Sequence, residues 1–173
     1  MPLLRFYLSP NLLSAEEKNS LSQKLTEIYT SIGLPAFYVN VAFIEIPSDS
    51  FYVAGEPVND FIRICIEHIA VKFASENHQQ RYMKKLDSII APLFESKGFR
   101  WEYHINETPR ELWKIQSIVP PPCQSPAEQK WARENRIHAE AFENSIAIAL
   151  RDTSWAVSSN SRTSLVIYNI HST

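Results

Sequence analysis

The second residue carries the most distinctive chemistry in this sequence. A chain opening Met-Pro yields, once Met1 is removed, a secondary amine whose ordinary pKa lies near the α-amino value of about 8. An apolar pocket lowers that value, because burial disfavours the ammonium form. Within hydrogen-bond reach of an acidic C–H beside a carbonyl, such a nitrogen can act as a base and move the proton to a second site, which is keto–enol tautomerisation. Neighbouring anions would instead keep the nitrogen protonated, as an acid suited to hydration. With Met1 retained, Pro2 is a tertiary amide without basicity. Other side chains have a chemical and a structural reading side by side. Arg63 can reach a carboxylate, or equally face solvent or a subunit. His68, ending the same apolar run, is an acid–base group or, more often for its type, a hydrogen-bonded structural histidine. Trp113 follows "ETPRE" and suits a pocket wall, whereas Trp101 and Trp131 suit the core or a subunit contact. Cys65, inside an apolar run, is expected to be a small buried side chain, and Cys123 a loop residue. No HExxH, paired CxxC or zinc-ligand spacing occurs, so neither a metal nor a cofactor is expected.

Pro2 matters only if the chain carries it inside, and the surrounding pattern does so. "LLRFYL" is apolar and extended in preference, and Ser9, Pro10 and Asn11 break it, so a strand begins at the first residues. Ser14 and Glu17 form a capping box, after which Leu21, Leu25, Ile28, Tyr29 and Ile32 recur at helical spacing up to Gly33 and Pro35. Phe37 to Ile46 reads as a second strand. The same order returns about sixty residues later, with a strand Phe61 to His68, a helix from near Ser75 containing Pro92 and closed by Gly98, and a strand Phe99 to Ile105. Pro92 should kink that helix or loosen its last turn. The predicted fold is α/β: two repeated β-α-β units forming a two-layer sandwich with both helices on one face of a single sheet. Tyr103 and His104 alternate to opposite faces, which makes His104 structural. Residues 1–124 form this double unit. Residues 125–173 form a helical extension, with Ser125, Pro126 and Glu128 opening a helix that runs through Trp131 toward Leu150. A polar loop and a short strand "SLVIYNI" follow, and the extension packs on the body or on a neighbouring subunit.

Composition narrows the function classes. Three glycines disfavour glycine-rich phosphate loops. A formal charge of -2 supplies no field for nucleic acid or an anionic membrane, and no stretch is long and apolar enough to cross a bilayer. A small-molecule ligand is expected. The opening residues carry neither a long apolar core nor a cleavage site, so a cytoplasmic location is expected.

An amino-terminal proline ahead of two β-α-β units resembles the tautomerase superfamily, in particular its two-unit members related to cis-3-chloroacrylic acid dehalogenase. The segments "GLPAFYVNVAFIEIP", "FYVAGEPVNDFIRICIEHIAVK" and "WEYHINETPRELWKIQSIVPPP" are similar to a fungal branch of that group, over Pro2 to Asn135. The resemblance implies a catalytic Pro2 and an active-site tyrosine at Tyr103. It places Tyr29 at the family's helix histidine, Ile69 and Lys72 at its two carboxylate-binding arginines, and Lys114 near its water-activating glutamate. Lys72 keeps the charge but loses the planar fork, so dehalogenation by the known route is not expected. The implied function is a Pro2-dependent tautomerase, isomerase or hydratase acting on a small carbonyl or unsaturated carboxylic acid, assembled as a homotrimer. Two alternatives stay open: a non-catalytic trimeric ligand-binding protein, and a cyclase of fungal secondary metabolism using an apolar pocket. Pro2 and Tyr103 are the expected catalytic residues, with Lys72, Tyr29, Arg63, His68, Trp113 and Lys114 around the substrate.

Overall fold

The structure is a computed structural model that describes residues 1–138. Four strands form one sheet in the order β2-β1-β5-β6. They are β1 Leu3–Leu8, β2 Asn40–Glu45, β5 Phe61–His68 and β6 Arg100–Glu107. Helix α1 (Ala15–Thr30) connects β1 to its parallel partner β2, and α2 (Glu76–Ser96) connects β5 to its parallel partner β6. The two units meet where β1 runs antiparallel to β5. Period-two alternation decides which residues enter the core: Leu4, Phe6 and Leu8 of β1 and Ile62, Ile64 and Ile66 of β5 are fully buried. Leu21, Leu25, Ile28 and Tyr29 of α1 meet them, together with Tyr82, Leu86, Ile90 and Phe94 of α2. Both apolar stripes therefore face the same sheet surface, as the sequence requires.

Local chemistry sets the ends of these elements. Ser14 and Glu17 form both halves of a capping box on α1. Ser75 accepts from the His78 N–H to start α2, which continues through Pro92 to Ser96, and Gly98 at φ 68° turns the chain into β6. The strand expected from Phe37 is shorter, because Pro35 opens a 3-10 turn over Ala36–Tyr38 that buries Tyr38 before β2 starts. The loop after β2 contains a small hairpin of β3 (Tyr52–Val53) and β4 (Glu56–Pro57). Its two central residues, Ala54 and Gly55, both have positive φ, as a two-residue hairpin turn requires.

Helix α3 (Pro126–Glu134) begins as the sequence predicts, on Ser125 and with Pro126 in its first turn. It does not run on toward Leu150, because Asn135 adopts the left-handed conformation (φ 46°) and closes it. Trp131, fully buried, packs α3 on the body against Phe37 and Tyr38. The expected "SLVIYNI" strand lies outside the described residues. Cys65 is only half-buried, since it pairs with Arg5 and His104 on the sheet face away from the helices; Cys123 is exposed.

Candidate active site

The start of β1 and the ends of β5 and β6 lie at one edge of the sandwich. The Pro2 carbonyl accepts from the Asn40 N–H at 2.9 Å, and because Leu3 pairs with Glu67, Pro2 falls beside His68, the last residue of β5. Pro2 is buried and the Met1 side chain exposed. Burial, and after it the charge of Arg110, pulls the Met1 α-amino group from 8.0 down to about 5. The strand thus places the amino terminus where a neutral amine is favoured.

Arg110 is held by the segment that covers this edge. Pro109 leads into a 3-10 turn over Arg110–Leu112, and the guanidinium donates to the Ala70 carbonyl, to the Pro121 carbonyl at 2.6 Å and to Glu128 Oε1 at 2.6 Å. It also lies over the Trp113 ring at 5.3 Å. Glu128 is 1% exposed, and its second oxygen accepts from the Gln124 N–H at 2.6 Å. The sequence reading gave Glu128 the reciprocal half of a capping box. Only one half forms: Ser125 accepts from the Glu128 N–H, while the carboxylate goes to Arg110. Fully buried Tyr38 stands edge-on to Trp113 at 4.7 Å, and burial, then the Glu128 charge, raises its hydroxyl's pKa. The result is a charged pair walled by aromatic rings beside the terminus, which keeps its attraction because water is excluded.

The expected site residues separate into different surroundings. Lys72 lines a cleft of about 190 Å³ with Ile69, Glu107, Pro109 and Arg110, so one cleft joins it to the residue beside the terminus. Trp113 is buried, beneath the Arg110 guanidinium and against Tyr38, and lines none of the clefts. Tyr29 and His68 meet instead on the helix side: the Tyr29 hydroxyl lies 3.3 Å from His68 Nδ1 and 2.6 Å from the Tyr82 hydroxyl. Burial raises Tyr29 to about 12 and lowers His68 from 6.5 to about 4, with Glu107 acting against the second shift. Tyr103 donates to Asp87 of α2 at 2.8 Å in a third cleft with Phe73 and Met83. Burial, then Asp87, raises its pKa. It pairs with Ile64, and Ile64 with Phe6, so at about 3.3 Å per residue it sits ~13 Å along the strands from the row of Pro2. Within one chain Tyr103 does not converge on Pro2. Arg63 pairs with Glu102 on the sheet face away from the helices, and exposed Lys114 lines none of these clefts.

Sequence reasoning missed Arg110, Glu128, Tyr38, Tyr82 and Asp87. "ETPRE" held the signal for Arg110, in an arginine following Thr-Pro, but its partners come from residues 70, 121 and 128 and only the fold assembles them. Among the described residues, no three His, Cys, Asp or Glu side chains gather as a metal site would require, and no helix is long and apolar enough to cross a membrane.

A family model described as "Putative oxalocrotonate tautomerase enzyme" matches residues 1–136. The structure is similar to a probable enzyme from the thermophilic fungus Aspergillus fumigatus, at 43% identity and a TM-score of 0.77, over 80% of this chain and 96% of that one. It is similar to RhCC from Rhodococcus jostii RHA1 at 36% identity and a TM-score of 0.76, over 79% of this chain and 98% of that one. At 16% identity and a TM-score of 0.60, it shares its fold with N1, a member of the cis-3-chloroacrylic acid dehalogenase family, over 87% of this chain and 99% of that one. A comparison with curated proteins finds no match.

Proposed function

The chain belongs to this oxalocrotonate tautomerase family, part of the tautomerase superfamily, and on that premise we propose that it is a Pro2-dependent tautomerase, isomerase or hydratase acting on a small carbonyl or unsaturated carboxylic acid. The observation that carries this reading is the desolvated amino terminus beside Arg110. Removal of Met1 moves the terminal amine one residue deeper, onto a buried proline, where the same burial and the same cation favour the neutral, basic form. The Pro2 nitrogen then takes the hydroxyl proton of the enol and delivers it to the carbon next to the forming carbonyl, so that an O–H bond breaks, a C–H bond forms and the amine ends neutral as it began. Arg110, with its outer nitrogens committed to Ala70, Pro121 and Glu128, sets the field at the amine. Lys72, in no ion pair among the described residues, lines the shared cleft and anchors the carboxylate as a point charge. The enzyme acts as a homotrimer, and Tyr103 polarises the substrate of a neighbouring protomer, since the register of its own chain holds it away.

One observation favours a second reading, a non-catalytic ligand-binding protein. Tyr29 occupies the position of the family's helix histidine, and its hydroxyl is tied to Tyr82 and His68 rather than left free for substrate. Enol loss from an arylpyruvate, compared between processed and Met1-retaining protein, separates the two. The processed form should be active and the retained form inactive, whereas equal rates would remove Pro2 from the chemistry.

A further inference from the structure

A second cleft, of about 280 Å³, opens between the last turns of α1 and the first half of α2, near the lower limit of about 300 Å³ for small-molecule sites. Neither Pro2, Lys72 nor Arg110 lines it. Its ionisable lining is entirely basic or phenolic: His78, Arg81 and Lys85 stand beside His68, Tyr29 and Tyr82, with no carboxylate among them. Arg81 and Lys85 enter no ion pair among the described residues, so their charge is left to the cleft. Their spacing of four puts both on one stripe of α2, where like charges repel. An anion between them relieves that repulsion and binds through charge-assisted hydrogen bonds.

The floor suits the other end of a ligand. Ile28, Ile32 and Val71 supply apolar surface, and the buried chain Tyr82–Tyr29–His68 lies beneath. His68 is clamped by stacking on Phe73 at 4.1 Å and 4°, and its buried Nε2 has no partner at bonding geometry among the described residues. Proton order along the chain has two settings. With the proton on Nε2, Tyr29 donates to Nδ1 and accepts from Tyr82. With the proton on Nδ1, the order reverses, and the Tyr82 proton is left for an acceptor outside the chain. The second setting gives the cleft a neutral O–H donor beside its cationic rim.

We propose that this cleft is a second ligand site, which binds a small aromatic carboxylate with its anionic group on Arg81 and Lys85 and its ring over Ile28 and Val71. The site is independent of the Pro2 amine, so it stands whether or not the chain is a catalyst. The test uses the full chain with Met1 retained, which silences Pro2 as a base. 4-Hydroxyphenylacetate and its neutral amide serve as probes, followed by calorimetry and by amide chemical shifts. The acid should bind about ten-fold more tightly than the amide, and Arg81→Glu with Lys85→Glu should weaken the acid by more than about ten-fold while changing the amide less than about two-fold. Replacement of both by glutamine should give an intermediate loss, with native shift dispersion reporting that either variant folds. Shifts should centre on Val71 and Tyr82. Absence of saturable binding at millimolar probe, equal affinity for acid and amide, insensitivity to charge reversal, or shifts centred on Lys72 and Arg110 would each overturn the proposal.

Discussion

Arg110 serves two structures at once, and its replacements should separate them. Its charge lowers the pKa of the amino-terminal amine, and its fork ties Glu128, Pro121 and Ala70 together. Arg110→Met leaves the Glu128 carboxylate buried without its cation, a loss of about 3–5 kcal/mol by the usual cost of breaking such a pair. It should also raise the pKa of the processed Pro2 nitrogen, though not to the ordinary α-amino value, since burial is the larger cause of the lowering. In a pH–rate profile the ascending limb on the acid side, where Pro2 loses its proton, should therefore move to higher pH. Arg110→Lys keeps the charge but loses the planar fork, so its limb should stay near that of the parent while denaturant midpoints still fall. If the limb is unmoved in both, the field of Arg110 does not reach the base. Lys72 acts more simply: exposed and in no ion pair among the described residues, it should cost acidic substrates more than neutral ones when replaced by alanine. Equal loss for both would show that it anchors no carboxylate.

The secondary elements show which information lies along the sequence and which does not. The alternation in "LLRFYL" and "FIRICIEH" and the helical stripes behind Ser14 and Ser75 are local patterns, and the sheet, both crossovers and the buried Pro2 follow from them. Tyr103 is different: its residue type fits a site, but its place is set by a register count, which puts it beside Asp87 instead of Pro2. Glu128 carries two meanings that a local pattern cannot separate, a capping position and a buried counter-ion, and its partner lies eighteen residues away. The end of α3 turns on one backbone conformation at Asn135, to which apolar spacing is blind. Since α3 braces the Arg110–Glu128 pair, its anchor should matter to stability and site alike. Trp131→Ala removes a fully buried indole packed on Phe37 and Tyr38 and should cost about 3–5 kcal/mol, measurable as a lowered denaturant midpoint. A loss below about 1 kcal/mol would mean that α3 is an appendage.

At the scale of the molecule, the helices cover one sheet face and leave the other to Leu3, Arg5, Tyr7, Cys65 and Glu67, all half-buried, with Ile44 exposed at the β2 edge. A face of that character next to open edge strands suits association, and the proposed homotrimer should appear as a single species of three chains in light scattering; a stable monomer at micromolar concentration would count against it. The response of the whole fold to acid should have two contributions near neutral pH, from the amino terminus between 8.0 and about 5 and from His68 at lower pH. Its folded pKa of about 4 lies below the ordinary 6.5, so between those values the unfolded chain binds a proton that the native one refuses. The His68 contribution is thus fully present above pH 6.5 and is lost as pH falls through that window. At about 1.4 kcal/mol per unit, the full loss is about 3 kcal/mol. The carboxylates with lowered pKa, among them Glu17, Glu45 and Asp60, are salt-bridged at the surface and weaken the fold only at lower pH. The groups acting on the imidazole from its surroundings are Glu107, which favours protonation, His78, which opposes it, and the Val71 backbone, which favours it. His68→Gln retains a group able to hydrogen-bond Tyr29 and cannot titrate, so from pH 6.5 to about 5 its denaturant midpoint should fall less steeply than that of the parent, the amino terminus accounting for the remaining slope. Parallel decline of both proteins over that range would assign the acid sensitivity to another group.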